Sequence, residues 1–277
     1  MMARQSPTSS VAPTADGMPL LGLGTWENDN PSECANTIKT ALEMGYRHID
    51  TAQVYGNEGA VGQGIAAADV PREEMFIATK VWIDKLGYED VLTSTQRSLE
   101  KLGIDTVDLL YVHWPVDTYN PVETFRALHK LVSDGKADRI GISNFEPNQV
   151  DTAIEKANVP IFANQIEIHP LLPQQELRDH CSKHDIELVA YSPLARGAVF
   201  DVPEITAIAN NHDVSEAQIA LAWLRQKGIT AIPKAVGHDH IHDNWTSLDL
   251  ELTPAEIEQI DSIERTNRCV DPRFAPW

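Results

Sequence analysis

Asp50 and Tyr55 place a carboxylate five positions ahead of a phenol, inside the stretch GYRHIDTAQVYG at residues 45–56. A short β-type run there, 48–50, gives way to a loop. Lys80 and His113 stand at comparable junctions, near the ends of the apolar runs 76–81 and 107–113. A phenol with an ordinary pKa near ~10 is a poor acid at neutral pH. A nearby ammonium favours the phenolate and lowers that value. A carboxylate can hold the ammonium by a charge-assisted hydrogen bond. An imidazole can bond the same substrate oxygen. Together the four suit protonation of an oxyanion as it forms on a carbonyl. Singly, each has a plainer reading: Asp50 as a turn cap, Lys80 snorkelling to solvent, His113 as a satisfied core histidine, Tyr55 as packing with a wet tip. What favours chemistry is that all four fall at strand ends.

Apolar, β-branched runs alternate with amphipathic stretches along the chain. Strands are expected at 20–24, 48–50, 76–81, 107–113, 137–143, 163–167, 187–191 and 230–233. Helices are expected at 31–44, 59–67, 88–102, 121–133, 147–157, 174–184, 204–210, 216–226, 241–248 and 254–263. Ser32 is expected to cap the first helix, and Gly56 to open the second. Strands separated by long crossovers, here roughly 22–42 residues apart, build a parallel sheet. Eight such units predict an α/β fold, a (β/α)8 TIM barrel in one domain over 16–277, preceded by a flexible tail over 1–15. An open doubly wound sheet is the alternative. Against it, Gly22-Leu23-Gly24-Thr25-Trp26 lacks the third glycine of a dinucleotide fingerprint. Gly62 and Gly64 lie within a helical pattern.

In a barrel, functional side chains come from the carboxyl-terminal ends of the strands. Those ends carry Trp26, Asp50 with Tyr55, Lys80 with Trp82, His113 with Trp114, Ser143-Asn144, Gln165 with Glu167, Tyr191-Ser192 and Pro233-Lys234. No serine here pairs with an acid and a histidine at a recognisable spacing. His238, His240 and His242 are two residues apart, which does not put all three on one helical face, so no metal centre is expected.

Lys and Arg number 22 against 41 Asp and Glu, a formal charge of −19. Such a field disfavours nucleic acid and anionic membranes as partners. It fits an acidic surface adapted to a salt-rich, halophilic interior, where a Debye length near ~3 Å at 1 M screens self-repulsion. Three unpatterned cysteines and no long apolar run point to a reducing, cytoplasmic setting without a membrane span.

The motifs at 45–56, 109–115 (LLYVHWP), 141–145 (GISNF) and 232–234 (IPK) closely resemble those of the aldo-keto reductases, over essentially 18–277. The ending at 270–276 (VDPRFAP) is similar to the short prokaryotic members that reduce diketo-gluconate and small aldehydes. The resemblance implies NAD(P)H-dependent reduction of aldehydes and ketones. Asp50, Tyr55, Lys80 and His113 would be catalytic, with Tyr55 as general acid. Tyr191 would stack on a nicotinamide, and Ser143, Asn144 and Gln165 would bind its carboxamide. Ser192, Leu194 and Gly197 would follow the pyrophosphate, with Thr25, Pro233 and Lys234 near the cofactor. Trp26, Trp82, His113 and Trp114, with the C-terminal tail, would line the substrate pocket.

Members that prefer NADPH usually follow the lysine with a serine and, six residues on, an arginine. Here Ala235 and His240 stand at those positions, with Asp243 and Asn244 at the adenine. Lys234 keeps a point charge for a phosphate, but the bidentate fork is gone. NADP(H) is favoured and NAD(H) use is expected alongside it. The partner is a small carbonyl compound, and a monomer is slightly favoured. Two rival readings are a Schiff-base aldolase using Lys80 and a non-catalytic NADP(H)-sensing subunit.

Overall fold

The computed structural model describes residues 11–277. Its helices form where apolar residues recur three and four apart. α1 (Pro31–Met44) buries Cys34, Thr37, Ile38, Ala41 and Leu42 on one stripe. Its cap is Asn30, not Ser32: Asn30 Oδ1 accepts the N–H groups of Ser32 and Glu33, each at 3.1 Å. Proline takes the first helical position, where a missing N–H costs nothing, and the capping role passes to the residue before it.

A hairpin of β1 (Thr14–Ala15) and β2 (Met18–Pro19) precedes the barrel. Of the tail expected over 1–15, residues 12–15 are part of the fold. Ala12 is buried, residues 14–15 are paired strand, and the first ten residues lie outside the described part. The barrel strands follow: β3 (Gly22–Gly24), β4 (His48–Asp50), β5 (Phe76–Val81), β6 (Val107–Val112), β7 (Ala137–Ser143), β8 (Ile161–Glu167), β9 (Glu187–Tyr191) and β10 (Thr230–Ala231). Each pairs in parallel with the next. Parallel bridges Leu21–Ala231 and Gly24–Lys234 join the last strand to the first. The Ala231 N–H donates to Leu20 O at 2.9 Å and the Gly24 N–H to Pro233 O at 3.1 Å, closing the ring. The fold is a (β/α)8 barrel.

Alternation along the strands sends side chains to two cores. Leu109 and Tyr111 of β6 point inward with Met18, Phe76, Ala78, Ala163, Val189 and Ile232. Leu110 and Val112 join the larger shell under the helices. Gly141 makes room for the inner core, since a Cβ there would sit 2.4 Å from the Tyr111 ring.

The remaining helices are α2 (Glu58–Ala67), α3 (Tyr88–Leu102), α4 (Pro121–Ser133), α5 (Pro147–Lys156), α6 (Gln175–Ser182), α7 (Pro203–His212), α8 (Glu216–Gln226), α9 (His238–Thr246) and α10 (Pro254–Asp261). Gly56 does not open α2. With φ +69° it ends a 3-10 turn over Gln53–Tyr55, and this turn presents the phenol to the rim. No helix among the described residues is long and apolar enough to cross a membrane.

Candidate active site

The groups expected to act together do meet at the carboxyl-terminal rim. Asp50 closes β4, Lys80 is the penultimate residue of β5, and His113 directly follows β6. Lys80 Nζ is fully buried. It pairs with Asp50 Oδ1, donates to Thr51 O at 2.8 Å, and lies 3.5 Å from the Tyr55 hydroxyl. The other Asp50 oxygen, Oδ2, accepts from Gln165 Nε2 at 2.8 Å. The Tyr55 ring stands edge-on to His113, with centroids 5.9 Å apart, and to Trp26, 4.9 Å away.

Burial dominates the electrostatics of this cluster. It raises the Tyr55 phenol well above its ordinary value, and the Asp50 carboxylate adds to the rise. Burial and Asp50 thus act against the depression expected from Lys80. Burial lowers Lys80, opposed by Asp50. Burial and then Lys80 hold the His113 imidazole well below its usual range, so at neutral pH it is uncharged.

A cavity of about 560 Å³ opens over Tyr55 and His113. Trp26, Trp82 and Trp114 line it, as do Thr25, Asn144, Gln165, Tyr191, Ser192, Leu194, Gly197, Pro233 and Lys234. Ser143 lies one layer back. Its hydroxyl donates to Gln165 O at 2.8 Å and accepts from Asn144 Nδ2 at 3.0 Å. Tyr191 donates its hydroxyl to Asn144 Oδ1 at 2.7 Å, which fixes the ring over the cavity floor. The loop after β9 turns through left-handed backbone at Ser192, Ala195, Arg196 and Gly197 (φ 46°, 48°, 50° and 98°).

The structure does not bring the other expected contacts to this cavity. Ala235 and Asn244 are buried beside it. The Asp243 carboxylate accepts from Ser215 Oγ at 2.7 Å and Gln218 Nε2 at 2.9 Å, which joins α9 to α8. His240 is exposed on α9.

The C-terminal tail expected to wall the pocket lies over the cavity, but sequence reasoning missed what anchors it. Val270, Pro272 and Phe274 cover the cavity from the C-terminal tail. Phe274 stands edge-on to Trp114 at 5.4 Å and Trp82 at 6.3 Å. Glu167, buried at the end of β8, accepts the N–H groups of Cys269 at 2.6 Å and Val270 at 2.9 Å. His169 Nε2 lies 3.0 Å from the same carboxylate. Burial works to raise the Glu167 carboxyl, but its bonds to His169 and the tail outweigh that and hold it low. The available signal was period two: Gln165 and Glu167 are polar residues sharing one face of β8 with Ala163.

A closed parallel barrel with a buried lysine–carboxylate pair behind a phenol at its carboxyl-terminal rim defines the class: a barrel oxidoreductase. The sequence pattern of the aldo/keto reductase family matches residues 20–265. The chain is 42% identical over 252 residues to the glyoxal reductase of Bacillus subtilis, covering 91% of each chain. It superposes on MGS-M4, an aldo-keto reductase from a Medee basin deep-sea metagenome, with TM-score 0.89 and 38% identity, over 93% of this chain and 95% of that one. The Bombyx mori aldo-keto reductase in complex with NADP superposes with TM-score 0.86 and 35% identity, over 92% of each. The chain belongs to the aldo/keto reductase family.

Proposed function

We propose that this chain reduces small aldehydes and ketones to alcohols with NADPH as the favoured cofactor and NADH as a second, and that Tyr55 delivers the proton. The observation that carries the reading is the Tyr55 hydroxyl facing the cavity with Lys80 Nζ 3.5 Å behind it and Asp50 behind that. The glyoxal reductase relative and the NADP-bound neighbour support the substrate and cofactor classes.

The cavity wall fits a nicotinamide. Thr25 Oγ1 and His113 Nδ1 are buried polar atoms without a protein partner. Tyr191 offers a ring face, and Asn144 and Gln165 offer side-chain amides. Ser143 supports these two from behind. Ser192, Leu194, Gly197, Pro233 and Lys234 continue toward the phosphates. When bound there, the nicotinamide supplies the hydride.

The chain's own groups do the rest. The aromatic walls exclude water and hold the carbonyl against the phenol. Neutral His113 bonds the carbonyl oxygen and directs its lone pair toward Tyr55. As charge develops on that oxygen, Tyr55 gives up its proton, and the nearby Lys80 stabilises the phenolate left behind. The raised phenol value does not obstruct this step. The carbonyl oxygen becomes strongly basic as the hydride reaches its carbon, and this draws the proton from Tyr55.

A Schiff-base role for Lys80 fits poorly, because its nitrogen is saturated by Asp50 and Thr51 and does not reach the cavity wall. The test is oxidation of NADPH and NADH over a panel of aldehydes and keto-sugars, at low and molar salt. Carbonyl-dependent oxidation supports the reading. Cofactor binding without turnover, or a borohydride-trapped adduct on Lys80, overturns it.

A further inference from the structure

We propose that Asp151, His180 and His184 form a divalent-metal site, suited to zinc, that staples α5 to α6 on the outer helical layer. Nothing in the carbonyl chemistry uses these residues. His180 lies in the last turn of α6. The chain keeps a helical course through Lys183 (φ −67°, ψ −17°), and the His184 N–H donates to Cys181 O at 3.0 Å. A spacing of four therefore puts both imidazoles on one side, with ring centroids 5.1 Å apart.

Asp151 comes from the middle of α5. Nε2 of His180 and Nε2 of His184 lie 2.8 Å and 3.7 Å from the same Asp151 oxygen, Oδ1. All three ligand atoms fall within 4.8 Å of one another. Zinc bonds of about 2.0–2.2 Å in a tetrahedron set neighbouring ligand atoms roughly 3.3–3.5 Å apart. The two measured separations straddle that value, so small side-chain adjustments would suffice.

An ion pair between His180 and Asp151 explains one imidazole but not the second. At 3.7 Å from Asp151 Oδ1, His184 Nε2 is outside hydrogen-bond reach, whereas a metal between the three groups uses both rings as donors. Two imidazoles and a carboxylate are an established zinc donor set, with a fourth position left for water. The side chains are 22%, 38% and 54% exposed for His180, His184 and Asp151, so an ion can enter. The formal charge of −19 raises the local concentration of cations. Glu167, His169 and Cys269 are also near enough to share an ion. That carboxylate, however, is already taken by two backbone N–H groups.

The test is titration of the EDTA-treated chain with ZnCl2 by calorimetry, with Tm followed in parallel and Co2+ as a spectroscopic probe. The expected result is one saturable site with Kd below about 0.1 mM. Tm should rise by about 5 °C at a hundredfold excess over Kd. Co2+ should show tetrahedral ligand-field bands without a thiolate charge-transfer band. H184A keeps the His180–Asp151 contact and so should fold, while losing at least tenfold in affinity; C269S should bind as the wild type does. Three results would each overturn the proposal: no saturable binding in the wild type, undiminished binding in the H180A/H184A double variant, or a thiolate band that disappears in C269S.

Discussion

Gln165 Nε2 donates to Asp50 Oδ2 at 2.8 Å, joining β8 to β4 across the inside of the barrel. Asp50 Oδ1 meanwhile holds Lys80. Gln165 also accepts the Ser143 hydroxyl, at 2.8 Å, and the Asn144 N–H, at 3.0 Å, on its backbone oxygen. The groups proposed to bind a carboxamide and those proposed to move a proton are thus one hydrogen-bonded chain. Its members orient one another, so a buried phenol stays aimed at the cavity.

Tyr55→Phe keeps the ring packing against Trp26 and His113 and removes the proton. We expect kcat to fall by about 10²–10⁴, with the dissociation constant for NADPH changed by no more than about twofold. Stopped-flow turnover and fluorescence titration would measure the two. Turnover at the wild-type rate would remove Tyr55 from the role of acid.

Glu167→Gln preserves shape but takes the charge from the tail's anchor. Hydrogen bonds to a charged group contribute about 1.5–3 kcal/mol. Losing part of that should raise KM for aldehydes roughly tenfold while kcat changes less. Amide exchange at 267–277 should accelerate in the variant. Unaltered exchange there would mean that the aromatic contacts of Phe274 and Trp277 hold the tail without the carboxylate.

His240→Arg supplies a planar fork where α9 now exposes an imidazole. We expect KM for NADPH to fall at least threefold, with KM for NADH nearly unchanged. Equal effects on both cofactors would show that the position does not meet the 2′-phosphate. A wild-type KM for NADH at or below that for NADPH would reverse the proposed cofactor order.

His48 is fully buried near the barrel floor, and burial, opposed in part by Asp50, pushes its imidazole down to about 4. In the unfolded chain the same group titrates near ~6.5. Between those values the unfolded state binds the extra proton, so stability falls as pH drops from about 6.5 to 4 and levels off below. The full span amounts to roughly 3 kcal/mol. His113, also depressed, adds to the slope. Urea denaturation of His48→Leu across this range should be flatter than that of the wild type. Parallel curves would assign the pH dependence elsewhere.

A surface with 41 acidic against 22 basic residues should gain from screening. We expect Tm to rise on going from low salt to 2 M KCl. A melting temperature independent of KCl would remove the proposed adaptation to high salt.

Much of this was legible because helix ends carry their own chemistry. Pro121 and Gly135 bracket α4, and Gly103 closes α3 in left-handed backbone, so those boundaries follow from residue type. Asp50, Tyr55, Lys80 and His113 were legible as a group because each stands at or just past the carboxyl end of a largely apolar strand. The Thr14–Pro19 hairpin was not, since two-residue strands carry no periodicity. Asn30 was passed over because a serine inside the helix resembled a cap. The tail's place over the pocket was expected from the resemblance, but its path was illegible: residues 267–277 have no repeat of their own, and Glu167, about a hundred positions away, holds them. Asp151, His180 and His184 are likewise joined only by folding.

The ring of strands closes through Gly24 against Pro233 and Lys234. That seam lies in the cavity wall, which Gly24, Thr25, Pro233 and Lys234 all line. A chain still emerging from the ribosome, and not yet past about residue 235, has neither the seam nor the wall that Ile232, Pro233, Lys234 and the tail supply. Capacity to hold a ligand should therefore arrive abruptly, with the last strand. Ligand affinity becomes a reporter of completed synthesis: a partly made barrel would be silent to a cofactor, and a cofactor would stabilise only finished molecules.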